Sequence, residues 1–498
     1  MNALLNGLKD DTNYGLTENG GVKHNTTKSA LLDLFAMGAS MRNRTDEDCI
    51  LLFKKAYQEN PEYAMKCLFY IRDVRGGQGE RRFFRVIMKW LVSYDLDAAR
   101  RNLEYVAEFG RWDDLYCFAD TVLAPHVFTI IKKQLALDAT CETPSLLAKW
   151  LKSENASSKE SMRLGNMTRI YLKMSHRQYR KMLAHLRAKI NIVERLMSEN
   201  RWDEIQFDKI PSKAGLIYKN VFARRDIIRE KYERFAKDAN TKVNAEALYP
   251  YEVVEKAIKL MENNASYYWH GSPSVSMDDV DRLMINKYWE NMTDYFAGST
   301  LNALCMIDTS GSMHGTPINV AVALGLYCAE KAGGPFANHY ISFSSRPQLI
   351  ECEGADFCDK VDRIVRTNLC ENTNIRAAFD MLLNTAKRRH LTNKDMPENI
   401  IIISDMEFDQ ASYCANTKQI GTVMENIANK WENEGYRCPN LVFWNVDARN
   451  NNIPMLGAKR VSFVSGFSPS IFQSIVSGKT GMELMMEKLN SPRYACIH

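Results

Sequence analysis

From Lys28 to about Leu260 the apolar residues recur at three- and four-residue steps, the spacing of one buried helical face, with short polar breaks between runs. Leu31, Leu32, Leu34 and Phe35 open one stripe, and Ile50, Leu51, Phe53 and Tyr57 carry a second. Tyr63, Cys67, Phe69 and Tyr70 form a third, followed by Phe83, Phe84, Ile87, Trp90 and Leu91. Asp46 and Asp48 stand where a helix start takes a cap or a first-turn acid, and Pro61 suits the first turn of the next helix. Successive helix pairs predict an α-solenoid of HEAT-like repeats over residues 25–262, although no clean sequence period emerges. Residues 1–24 read as a flexible lead-in. Residues 263–281, with Asn263-Asn264, Gly271, Ser272, Pro273, Ser274 and Ser276, read as a loop or linker, and 282–300 as a connecting helix.

The period changes at Asn302. Leu304–Ile307, His339–Phe343, Gln348–Glu351, Ile400–Ile403 and Leu441–Val446 are short apolar or strand-like runs, and Ile318–Ala332 and Ile375–Arg388 have helical spacing. Buried strands alternating with helices predict a doubly wound, Rossmann-like α/β domain over 301–498, with its functional residues at the carboxyl ends of the strands.

Composition narrows the class of protein. The 498 residues exceed one ordinary core, and 45% hydrophobic with 25% charged residues is a globular balance. A net charge of +5 is too small to imply nucleic acid without local clustering. The twelve cysteines form no CxxC pair and read as reduced thiols, which with the absence of a signal-peptide pattern points to a cytoplasmic protein. No run of eighteen apolar residues exists, so no membrane segment is expected.

The chemistry-bearing run is Met306-Ile307-Asp308-Thr309-Ser310-Gly311-Ser312-Met313. One carboxylate and two hydroxyls stand at alternate positions past a buried strand, a hard-oxygen set that suits Mg²⁺, with Mn²⁺ as the other candidate, better than zinc. This DxSxS run resembles the metal-ion-dependent adhesion site of von Willebrand factor A domains. The resemblance implies two further ligands, Thr373 in Glu371-Asn372-Thr373-Asn374 and Asp405 at the end of the isoleucine strand, and an open coordination position completed by a partner's carboxylate. The chain departs from that family where Met406-Glu407 replaces the common glycine after the aspartate. Glu407 and Asp409 read as solvated loop acids or spare ligands. No base and nucleophile pair accompanies the motif, so no catalytic residue is assigned. Ser477-Gly478-Lys479-Thr480 ends like a phosphate-binding loop, but Gln473 stands where the first glycine belongs.

The helical half has its own signatures: Ile71-Arg72-Asp73-Val74-Arg75-Gly76-Gly77-Gln78-Gly79-Glu80-Arg81-Arg82, then Glu108 to Leu115, then Tyr179 to Leu183 with Glu199 to Ile205. With the downstream metal-type domain these resemble the TROVE module of the Ro ribonucleoprotein, and more closely an uncharacterised TROVE-like family of plants, bacteria and phages. A ring or arc of helices that binds RNA is what the resemblance implies.

The residues themselves offer a basic face. On a helix from Ser175, Met182, Leu183, Leu186, Ile190, Val193, Leu196 and Met197 share one side, and Arg177, Arg180, Lys181, Arg187 and Arg195 the other. Arg72, Arg75, Arg81, Arg82 and Arg85 can extend that surface, and the glycines of the first joint can bring backbone N–H groups to a phosphate. Tyr179, Trp112 and Trp202 are either stacking platforms or core anchors, and the repeated Arg-Trp-Asp suggests a packing joint with the indole inward and an ion pair at its rim. The expectation is a monomeric, non-enzymatic RNA-binding scaffold whose metal-bearing domain recruits an acidic protein partner. A metal-dependent assembly factor without nucleic acid is the alternative, and a metal-dependent hydrolase is the third reading.

Overall fold

A computed structural model describes residues 12–190, 193–268, 279–296, 300–343, 346–367, 374–409, 422–456, 460–475 and 479–498. The lead-in is not loose from Asn13 onward. Tyr14–Leu16 (β1) and Val22–His24 (β2) pair antiparallel. The Thr17 hydroxyl donates to the Phe408 carbonyl at 2.6 Å, and the backbones of His24 and Ile453 exchange hydrogen bonds. These are polar contacts to residues far along the chain, which leave no periodic signal in the sequence.

The C-terminal half is built on one sheet: β3 (Ala303–Asp308), β4 (His339–Phe343), β5 (Gln348–Glu351), β6 (Asn399–Ser404), β7 (Asn440–Asn445) and β8 (Val461–Ser465). The strand order is β5-β4-β3-β6-β7-β8, parallel except for β5, which runs antiparallel at one edge. Every residue of β3, β6 and β8 is buried, as expected of parallel strands covered on both faces. Helix Thr316–Lys331 packs on β3 through Gly325, whose missing side chain makes room for Ile307. The chain reverses direction across the sheet between β3 and β6, so the carboxyl ends of these two neighbours flank a topological switch point. Strand β8 escaped the sequence reading because its Val-Ser-Phe-Val-Ser mixes in serines; the Ser465 hydroxyl donates to the Phe35 carbonyl at 2.8 Å, so its polarity serves an interface.

The N-terminal half is helical, beginning with Ala30–Met37, Asp46–Glu59, Pro61–Arg72 and Arg82–Tyr94. Thr45 caps the second of these, and Pro61 opens the third behind the Asn60 cap. The expected loop from Asn263 is a helix as far as it is described: Pro250–Tyr268 continues through Asn263-Asn264, and Asp279–Glu290 follows. Asparagine costs well under about 1 kcal/mol relative to alanine in a helix interior, too little to end one against tertiary packing.

Both ends of the helical half are seated on the sheet domain. Helix Ala30–Met37 lies against β8. At the other end, Trp289 stacks on Phe357 at 4.2 Å and donates to Glu330 at 2.7 Å, while Arg282 pairs with Asp356 at 2.6 Å. The two ends also meet at Phe467, which receives Arg42 over its face at 3.5 Å and the edge of Tyr251 at 5.1 Å. Among the described residues no helix is long and apolar enough to cross a membrane.

The first joint is a packed structure rather than a phosphate cradle. The N–H groups of Gln78, Gly79 and Glu80 donate to the carbonyls of Tyr70, Asp73 and Ile71. Gly77 abuts the Tyr70 carbonyl too closely for a side chain, and Gly79, at φ +66°, lies against the Tyr249 hydroxyl. Arg72 is buried and donates twice to the fully buried Asp114, at 2.7 and 2.9 Å; Arg85 takes the other carboxylate oxygen at 2.6 Å, and the Arg111 N–H adds a bond at 2.8 Å. Removing Asp114 strands a buried guanidinium. Asp114→Ala is expected to lower stability by about 3–5 kcal/mol, read as a fall in the denaturant midpoint. A loss below about 1 kcal/mol would show that this network does not hold the joint.

Candidate metal centre and basic ridge

Asp308 ends β3, fully buried. One of its oxygens accepts from the Ser310 N–H at 2.9 Å, and the other from the Ser404 hydroxyl at 2.6 Å. The chain then turns through Gly311–Met313, which sets the Ser310 and Ser312 hydroxyls 3.0 Å apart. Gly311 is not required for this turn, since a side chain there meets nothing; the left-handed residue is Gly315, at φ +88°.

Across the switch point, buried Asp405 follows β6. Its carboxylate accepts from the Glu407 N–H at 3.1 Å and from Arg449 at 2.7 Å. Met406 adopts φ +66°, a left-handed conformation that glycine takes at less cost than a side-chain-bearing residue. A methionine there carries backbone strain on the order of 1–3 kcal/mol, and its burial and the bond from its N–H to Ser404 hold it.

Burial pushes the Asp308 carboxyl up to about 7, reinforced by the charge of Asp405 and partly offset by the Ser404 and Ser310 hydrogen bonds. Two carboxylates forced together with hydroxyls and no soft ligand fit a small, hard divalent cation. Asp308, Ser310, Ser312 and Asp405 can hold one. Thr373 lies outside the described residues. Among the described residues no three His, Cys, Asp or Glu side chains converge as ligands, so a cation here depends on the serines.

Glu407 is not a solvated acid. It is fully buried, accepting from the Glu18 N–H at 2.8 Å and the Asn450 amide at 2.8 Å. Arg449 pairs with Glu18 at 3.2 Å as well as with Asp405. Neither Glu18 nor Arg449 was legible as a site residue. Glu18 lies hundreds of positions before Asp405 and Arg449 some forty after it, and only folding joins them.

Of the basic residues, Arg177, Arg180 and Lys181 are exposed on helix His176–Ile190 and make no hydrogen bond or ion pair among the described residues. Arg187 turns inward, donating to the carbonyls of Ala148 and Leu151 at 2.9 Å and to Ser153 at 3.0 Å. Arg195, on the helical span Val193–Ser198, pairs with Glu199 at 2.7 Å. The expected single basic face is thus divided. Arg72 is consumed by Asp114, Arg75 by the Glu108 carbonyl at 2.7 Å, Arg82 by Asp46, and Arg85 by Asp113 and Asp114. Arg81 is exposed; partial burial and the charges of Arg111 and Arg85 hold its guanidinium below the usual range, the mark of a locally positive spot.

The aromatics are anchors. Tyr179 and Trp202 are buried and Trp112 is half-buried. The two Arg-Trp-Asp joints differ: Arg111 pairs with Asp113 at 3.0 Å, whereas Arg201 takes Glu199 and Glu204 instead of Asp203.

Comparison with known proteins places the chain among uncharacterised relatives. Residues 302–492 match a model described as "Domain of unknown function (DUF7788)". The "Uncharacterized protein L728" of Acanthamoeba polyphaga mimivirus is 28% identical over 512 residues, covering 94% of this chain and 85% of that protein. The crystal structure of the Deinococcus radiodurans RO (RSR) protein aligns over 93% of this chain and 99% of that one, at 13% identity and a TM-score of 0.43. A second model, matching residues 17–133 and 136–299, spans more than half of the sequence, and by it the chain belongs to the family described as "Domain of unknown function (DUF2828)".

Proposed function

We propose that this protein is a non-enzymatic scaffold that binds RNA on its helical half and a divalent cation on its sheet domain. The observation that carries the RNA reading is the trio Arg177, Arg180 and Lys181, exposed without acidic partners among the described residues on a helix whose other side packs inward through Tyr179, Leu183 and Leu186. Unpaired guanidinium and ammonium groups on one ridge are free to take phosphates and release counterions. The sequence resemblance to the TROVE module supports the same reading. Phosphate contacts position a chain of nucleotides and carry little base information, so the ridge suits structured or single-stranded RNA of varied sequence.

In the sheet domain we read a von Willebrand factor A-type site. Asp308, Ser310, Ser312, Thr373 and Asp405 would hold Mg²⁺ or Mn²⁺, which supplies a Lewis-acidic charge with a position open to an acidic protein partner's carboxylate. The Ser404 hydroxyl and the Ser310 N–H orient Asp308 for that task. This reading on its own gives the second function, a cation-dependent assembly factor; the convergence of two buried carboxylates at the switch point favours it. Hydrolysis has less support, because the chain supplies no second carboxylate cluster for a two-metal centre among the described residues.

Filter binding of a structured RNA across a salt series tests the ridge. Reversing Arg177, Arg180 and Lys181 to Glu together is expected to weaken binding roughly 10- to 100-fold and to reduce the log–log salt slope by about two to three. Unchanged affinity and slope would remove the ridge from the interface. The sheet site is tested by pH. With Asp308 titrating near 7 against about 3.9 for an unperturbed aspartate, the chelated native state binds a proton that the unfolded chain does not. The resulting stability is complete at acid pH and lost as pH rises through about 7. The melting temperature of chelated protein should therefore fall between about pH 5.5 and 8 by more in wild type than in Asp308→Asn, and Mg²⁺ should restore it only at the higher pH. Identical profiles for the two proteins would refute this account of Asp308.

A further inference from the structure

The N-terminal strap, Thr17 to Gly21, lies along the loop that follows β6, directly beside the candidate cation site. Thr17 binds the Phe408 carbonyl at 2.6 Å, Asn19 binds the Glu407 carbonyl at 2.6 Å, and Gly20 bridges to Asp409. Gly21 lies so close to the Phe408 carbonyl that a side chain would collide with it, so this is a fitted seat. The strap delivers Glu18, which one Asn450 amide joins to Glu407, at 2.7 and 2.8 Å.

Arg449 stands between the strap and the site. One terminal nitrogen binds Asp405 at 2.7 Å, the other pairs with Glu18 at 3.2 Å, and its buried Nε has no acceptor among the described residues. Asp308, Asp405, Glu407 and Asp447 are all buried nearby. Of the cations set among them, Lys23 donates to the Asn451 carbonyl at 2.6 Å, and Arg449 touches the proposed ligand Asp405 at 2.7 Å.

Resting on the cation-site reading above, we propose that Arg449 is a resident counter-ion that lets go of Asp405 in favour of Glu18 when the site is loaded, so that cation uptake and docking of the N-terminal strap reinforce each other. A divalent charge at Asp308 and Asp405 repels the guanidinium and replaces it as the partner of Asp405. Arg449 already contacts Glu18 at its other end, and its Nε–H has no acceptor among the described residues, so a small shift strengthens the strap contact without exposing a charge. Linkage requires the reciprocal effect: whatever draws Arg449 onto Glu18 frees Asp405 and tightens cation binding.

Mn²⁺ titration of the full chain by calorimetry tests the exchange. Arg449→Gln should bind Mn²⁺ on the order of 10-fold more tightly than wild type, with Arg449→Lys between the two, and Glu18→Gln about 5-fold more weakly. In the Arg449→Gln background, Glu18→Gln should change affinity by less than about 2-fold, because its route through the guanidinium is gone. Mn²⁺ should also slow chymotryptic cleavage at Tyr14 and Leu16 in wild type, and lose that effect in Glu18→Gln. Unchanged or weaker Mn²⁺ binding by both Arg449 variants overturns the counter-ion role. An equal Glu18→Gln effect in both backgrounds overturns the relay. If the wild type binds no Mn²⁺, or binds it undiminished after Asp308→Ala, the cation-site reading fails and this inference with it.

Discussion

The helical half never has to finish itself. A helical region exposes apolar surface wherever its terminal helices lack a neighbour. Here the first helix, Ala30–Met37, is seated on β8, and the last, Asp279–Glu290, on the helix Phe357–Thr367 that flanks the sheet. The C-terminal tail adds a third tie, with Arg493 and Tyr494 both bonded to the buried carboxylate of Asp73. The sheet domain is thus the cap for both ends, and the two halves close on each other at Phe467.

That closure fixes the surroundings of the candidate cation site. The N-terminal strap lies on the loop after β6, and the helix that follows it, Ala30–Met37, is held on β8. The site consequently carries two kinds of residue. Asp308, Ser310, Ser312 and Asp405 come from adjacent strand ends and are set by the sheet topology. Arg449, Asn450 and Glu18 come from elsewhere and decide how much negative charge the strand ends present. The raised carboxyl of Asp308 and the left-handed backbone at Met406 are costs of crowding this much polarity into a buried corner.

In the helical half the same economy of charge works against a broad basic surface. Arg72, Arg82, Arg85, Arg187 and Arg195 each satisfy an acid or a carbonyl of the fold. Among the described residues, Arg177, Arg180 and Lys181 make no such bond and form a short exposed ridge, with Arg81 as a separate positive point.

The sequence by itself determined the division into helices and sheet. Buried helices and parallel strands impress local periods, and His339–Phe343 and Gln348–Glu351 were legible to the residue. It also made the Asp308, Ser310 and Ser312 run legible as neighbours past a buried strand, because alternate positions there form one local motif. Tertiary structure alone decided which arginines point outward, that the helix past Leu260 continues through Asn263-Asn264, that residues Asn13 to His24 are docked, and that Glu18 meets Arg449. The reason is range. Periodicity and motif spacing are properties of neighbours in the chain, whereas an ion pair between positions 18 and 449 exists only when two distant segments are held together by packing that neither one encodes.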